Sequence, residues 1–86
     1  AGARLSRVAP NPARAEARIR FELPRAAGVR LELFEVSGRQ VATLADRRFE
    51  AGVHEIGWLP ADEPAGVYYV RLTADGTEDT RRLIVR

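Results

Sequence analysis

The sequence predicts an all-β protein in which two antiparallel sheets pack face to face as a seven-stranded sandwich. Three observations predict it. Apolar and polar residues alternate with a period close to two along most of the chain, the pattern of half-buried strands. Turn signals carrying glycine or proline separate these windows at intervals of about ten residues. No long window shows the three- and four-residue apolar spacing of an amphipathic helix.

The expected strands cover residues 5–8, 18–23, 29–34, 40–44, 54–59, 67–73 and 80–85. After the first comes "APNPARAEA", a linker-like stretch whose Pro10 and Pro12 lack the N–H that a ladder needs. In "ARIRFEL", Ala17, Ile19, Phe21 and Leu23 share one face, and Arg18, Arg20 and Glu22 share the other. "LPRAAG" turns the chain into a second alternating run, with Val29, Leu31 and Leu33 inward and Arg30 and Glu32 outward. "VSG" fits a three-residue hairpin loop with Gly38 in the left-handed conformation and Glu35 and Arg39 as the flanking cross-strand pair. "EAG" turns the chain again ahead of "VHEIGW". There His54, Ile56 and Trp58 lie on one side, and this places Trp58 in the inter-sheet core. In "VYYVRL" the inward set is Tyr68, Val70 and Leu72, with Tyr69 opposite. Asp75-Gly76, the strongest short-range hairpin signal, returns the chain into a last strand whose Leu83 and Val85 face inward.

Eighty-six residues make one domain, here residues 1–86 with 1–9 as a lead-in, because the chain is too short for two cores. Without cysteine, neither a disulfide nor a thiolate metal site supports it. Without methionine, the chain is expected to be a C-terminal piece of a longer protein. All fourteen basic residues are arginine, a choice that codon usage in a GC-rich genome explains more simply than phosphate recognition. The net charge is only +2 and the arginines are scattered, whereas a nucleic-acid partner calls for a concentrated stripe and a base-reading motif. The opening "AGARLSRVAP" lacks the continuous apolar run of a signal peptide, and no run approaches the ~20 residues of a membrane span.

Catalysis finds no support. His54 is the only histidine, so a His-based metal site or a His-paired nucleophile lacks its second member. Asp62 and Glu63 are adjacent in a loop flanked by prolines and serve to solvate a turn. No catalytic, metal-binding or cofactor-binding residue is assigned. Trp58 with Tyr68 and Tyr69 suggests a sugar-stacking platform, but alternation puts the two tyrosines on opposite faces. A carbohydrate-binding accessory module is therefore the least favoured reading.

Five stretches in order carry a family resemblance: "PNP", an alternating strand ending in "LP", "LELFEVSGRQVATL" with "AGVHEIGW", "PAGVYYVRL", and a basic-then-apolar ending. This order resembles the C-terminal sorting domains of the type IX (Por) secretion system. It is equally similar to the related immunoglobulin-like domain of the flagellar hook-capping protein. The similarity runs from Pro10 to Arg86. Pro10, Asn11 and Pro12 match the family's opening motif, Val36, Ser37, Gly38 and Arg39 its hairpin, and Gly66 and Tyr68 its Gly-x-Tyr strand. Arg81 and Arg82 stand at its basic pair, and Leu83, Ile84, Val85 and Arg86 at its short terminal tail. Two departures are Glu35, where the family usually has Asp, and Arg in place of the common terminal Lys.

The resemblance implies an immunoglobulin/fibronectin-III-like sandwich, with Tyr68 as the tyrosine corner of such domains. It also implies a non-catalytic sorting domain at the extreme C-terminus of an exported protein. The upstream cargo would pass through the periplasm and an outer-membrane translocon to the outside or the cell surface, where a sortase often removes the label. The implied state is a monomer without nucleic acid, cofactor or transmembrane segment. The terminal strand has two implied roles, completing a sheet and offering an edge to a receptor by strand addition. The alternative reading is a structural immunoglobulin-like spacer or hook-cap-type assembly module.

Overall fold

A computed structural model of the chain describes residues 2–9, 16–59 and 63–86. Within them run strands β1 (Arg4–Ala9), β2 (Ala17–Leu23), β3 (Ala27–Glu35), β4 (Gln40–Phe49), β5 (Gly52–Trp58), β6 (Gly66–Ala74) and β7 (Thr77–Val85). All pair antiparallel, in a three-stranded sheet ordered β1-β2-β5 and a four-stranded sheet ordered β4-β3-β6-β7. The chain changes sheet after β2, after β4 and again before β6. This is the three-plus-four arrangement of an immunoglobulin/fibronectin-III-like sandwich.

The core follows the alternation of the central strands. Ala17, Ile19, Phe21 and Leu23 of β2 are buried, as are Val29, Leu31 and Leu33 of β3 and Tyr68, Val70 and Leu72 of β6. Leu83 and Val85 of β7 and Leu5 of β1 close the same cluster. Each fully buried aliphatic side chain contributes about 1.5–3 kcal/mol relative to exposure.

Both expected hairpins form. Gly38 N–H donates to Glu35 O and Glu35 N–H to Arg39 O, each at 2.9 Å, closing the three-residue Val36-Ser37-Gly38 loop. Asp75 and Gly76 both have positive φ (51° and 77°), so β6 and β7 join through a two-residue turn of the mirror-image type that suits strand twist. Gly38 (φ 96°) and Gly76 have open space where a Cβ would sit, so an alanine there meets only backbone strain. Gly38→Ala and Gly76→Ala should each cost about 1 kcal/mol, read as a lower denaturant midpoint with an unchanged slope.

Three features depart from the sequence reading. Trp58 is half-buried rather than a core residue, because β5 is the edge of the smaller sheet and its inward set of His54, Ile56 and Trp58 is covered from one side only. β4 runs five residues beyond its expected end, to a buried Phe49. Glu32 points outward as expected yet is only 7% exposed, because Arg71 lies over it at 3.4 Å.

Candidate functional site

Of the sequence-derived candidate residues that the structure describes, the hairpin, Gly66, Tyr68 and the terminal tail gather at one end of the four-stranded sheet, whereas Arg81 sits at mid-strand opposite Val70. One cross-strand row runs Glu35–Tyr68–Leu83, and beside it Gly66 pairs with Val85. The hairpin, the Gly-x-Tyr strand and the terminal tail, far apart in sequence, thus become neighbours because β6 lies between β3 and β7. Pro10, Asn11 and Pro12 lie outside the described residues, as does Asp62.

The hairpin is rigidified by its own side chains. Arg39 donates from Nε and a terminal nitrogen to the two Glu35 carboxylate oxygens, at 3.1 and 2.9 Å, and the Ser37 hydroxyl donates to Oε1 at 2.6 Å. The planar guanidinium suits this two-point grip, which a lysine could not make. Arg39 first, and Ser37 second, hold the Glu35 carboxyl below its usual range. Its contribution is therefore present above the ordinary glutamate range and fades as pH falls through the lowered value. Glu35, although longer than the family's usual Asp, still anchors this turn.

Tyr68 ties the segment preceding β6 to the core. Its ring is buried (3% exposed), its hydroxyl donates to the carbonyl of Pro64 four residues upstream, and Trp58 packs against it with ring centroids 6.3 Å apart. This is the tyrosine corner. Burial, and after it the nearby Glu63 and Glu35 carboxylates, push its phenol upward, which keeps the donating proton in place.

The basic pair does not act as one feature. Arg81 lies opposite Val70, on the side of β7 that faces the other sheet, and donates to Leu5 O at 3.1 Å. Asp79, two residues earlier, accepts Leu5 N–H at 2.8 Å. Together they clasp both backbone groups of one residue in β1, next to the irregularity between Leu5 and Arg7. Arg82 instead lies opposite Tyr69 on the outer face. The tail divides in the same way: Leu83 and Val85 are core, whereas Ile84 alternates outward with Arg82. Asp79 was not among the sequence-derived candidates, and no local signal marks it, since its partner lies 74 residues away.

The tempting chemical residues have structural roles. His54 completes a three-ring cluster with Phe21 and Phe49, tilted against the first at 5.5 Å and edge-on to the second at 5.0 Å between centroids, and its Nε2 lies 2.7 Å from Glu50 O. Among the described residues, no group of three His, Asp or Glu side chains could hold a metal ion. Among the described residues, no helix is long and apolar enough to cross a membrane.

Comparison with known families places the domain as a whole. The family described as "Secretion system C-terminal sorting domain" matches residues 7–86. The chain belongs to this family. Sorting domains of this kind are the signal for type IX secretion, which carries proteins through the periplasm to the cell surface or the extracellular space, and the family is in general non-catalytic. A sorting domain implies a cargo upstream in the same chain and a secretion machinery that handles it. Among solved structures, the chain is similar to dimeric latent PorU from Porphyromonas gingivalis, with a TM-score of 0.75 and 21% identity over 96% of this chain. It spans 9% of the length of that PorU chain, so the likeness is one of fold. The Ig1 domain of mouse SynCAM 2 aligns over 91% of both chains at 8% identity, with a TM-score of 0.47. No curated protein matches the sorting domain in sequence.

Proposed function

We propose that residues 1–86 fold as one monomeric, non-catalytic domain that labels the cargo preceding it for the outer-membrane translocon. The convergence of the Val36–Arg39 hairpin, the Gly66-x-Tyr68 strand and the β7 tail at one end of one sheet carries this reading. Those are the positions that match the family's motifs, and folding turns them into one contiguous end. The segment with Pro10, Asn11 and Pro12 belongs to the same signal by its motif. A surface sortase is the partner that would act after export.

A reporter fused ahead of residues 1–86 tests the reading in a bacterium with a type IX system. The reporter should appear outside the cell, and a fusion lacking the domain should stay in the periplasm. Retention of the intact fusion, with the isolated domain folded, would replace sorting by a structural spacer or assembly role.

A further inference from the structure

Alternation leaves the outer face of the four-stranded sheet apolar near the candidate end. Tyr69 sits between Phe34 of β3 and Arg82 of β7, and Val67 is opposite Ile84. Val36, 71% exposed at the hairpin tip, lines the same surface hollow as Val67. Tyr69 is 36% exposed, and Phe34, Val67 and Ile84 are half-buried. Arg71 stacks on Phe34 with its guanidinium 4.3 Å from the ring centre, leaving the rest of the strip uncovered by that cation.

The outer face of the other sheet is built differently. There Arg4 pairs with Glu22, and Arg18 and Arg20 share Glu55, at 3.0 to 3.3 Å. Solvent-facing positions of an antiparallel sheet are ordinarily polar, as most are on that side, where Val53 stands as a single exposed aliphatic. A contiguous aromatic and aliphatic strip on a solvent face marks an interaction surface.

The strip has a sign as well as a shape. Along β7 it is bordered by Arg82, with the exposed Arg86 just beyond, and Arg86 makes no ion pair among the described residues. The nearest carboxylate of the hairpin, Glu35, is already engaged by Arg39 and Ser37. A complementary partner therefore offers apolar side chains rimmed by carboxylates on the β7 side.

We propose that this outer strip, centred on Tyr69 and Ile84 and bordered by Arg82, is where the secretion machinery contacts the domain, through an apolar surface edged with acidic residues. The inference rests on the sorting reading above. It divides the terminal motif by role. Leu83 and Val85, 0% and 3% exposed, hold the fold and are out of a receptor's reach, whereas the alternate positions present the signal. Arg81 serves the fold through Leu5.

The reporter fusion separates the two ideas. Tyr69→Thr with Ile84→Thr puts a strand-compatible β-branched side chain at both positions but removes the apolar strip, and Arg82→Glu with Arg86→Glu reverses its border. Each should lower exported reporter about tenfold or more, as loss of a central contact does, while the isolated domain keeps its cooperative melt. Val53→Thr, at a 61% exposed position on the other sheet, should leave export unchanged. Where the double threonine variant fails to fold, Tyr69→Thr alone gives the same reading from an exposed side chain. Export of folded strip variants at the unmodified level would overturn the strip as the contact surface while leaving sorting intact. Retention of the unmodified fusion would overturn sorting itself.

Discussion

Phe21→Ala should cost about 3–5 kcal/mol, the range for truncating a fully buried phenylalanine. Phe21 is 0% exposed in the middle strand of the smaller sheet, edge-on to Phe49 at 5.2 Å and stacked beside His54 at 5.5 Å. The cavity would open between the sheets, where β2 and β5 on one side and Phe49 of β4 on the other are held by their own ladders and cannot collapse inward. Small domains hold only about 0.05–0.15 kcal/mol per residue, so the loss removes a large share of the total. Trp58→Ala, in the adjacent edge strand, provides the contrast. Its half-buried ring packs on Tyr68 from one side, and its loss should lower the denaturation midpoint by well under half as much. Equal shifts for the two variants would place Trp58 in the core after all.

That contrast also marks where the fold was legible in the sequence. β2, β3 and β6 are central strands with one face on the core and the other on solvent, so their apolar residues alternate cleanly. Periodicity reports which side of a strand faces in, but not how much lies above it. β5 alternates as well as β2 does, yet its edge position leaves its inward set half-covered. In β4 the register with β3 shifts twice, between Leu31 and Glu32 and again between Leu33 and Phe34. Each shift carries an extra residue that breaks the period of two. The charged "ADRRF" stretch then suits a sheet edge. The final Phe49 is covered from outside by Arg47, 3.8 Å above its ring.

The candidate site divides along similar lines. Hairpin chemistry was legible because its partners are local: Glu35, Ser37, Gly38 and Arg39 bond one another within five residues. The clasp of Leu5 by Asp79 and Arg81 joins residues 74 and 76 positions apart, and the Glu32–Arg71 contact spans 39. Such contacts depend on which strands become neighbours, and sheet order is not written in any single strand. The basic pair shows the consequence. Two adjacent arginines look alike as a motif, but on a strand adjacent residues face opposite ways, one toward β1 and one outward.

Tyr68→Ala should rival Phe21→Ala, at about 3–5 kcal/mol, and Tyr68→Phe divides that effect into its parts. The ring accounts for most of it, being 3% exposed between Trp58 and the β7 core residue Leu83. The hydroxyl has one acceptor, the carbonyl of Pro64. Pro64 is itself exposed, so water can replace the lost donor. Tyr68→Phe should therefore cost only about 1 kcal/mol, the lower part of the range for a hydrogen bond whose partner is left behind. The loss should also be local. The Pro64 bond fixes how the chain enters β6, so amide exchange should rise at Ala65 and Gly66 while Val70 and Leu72 stay protected. A Tyr68→Phe domain with unchanged midpoint and unchanged exchange at Gly66 would show that the ring alone makes the corner. A fall in export from the folded Phe variant would then trace to the geometry of the chain entering β6, because the Gly66–Val85 and Tyr68–Leu83 pairings that place the terminal strand begin there.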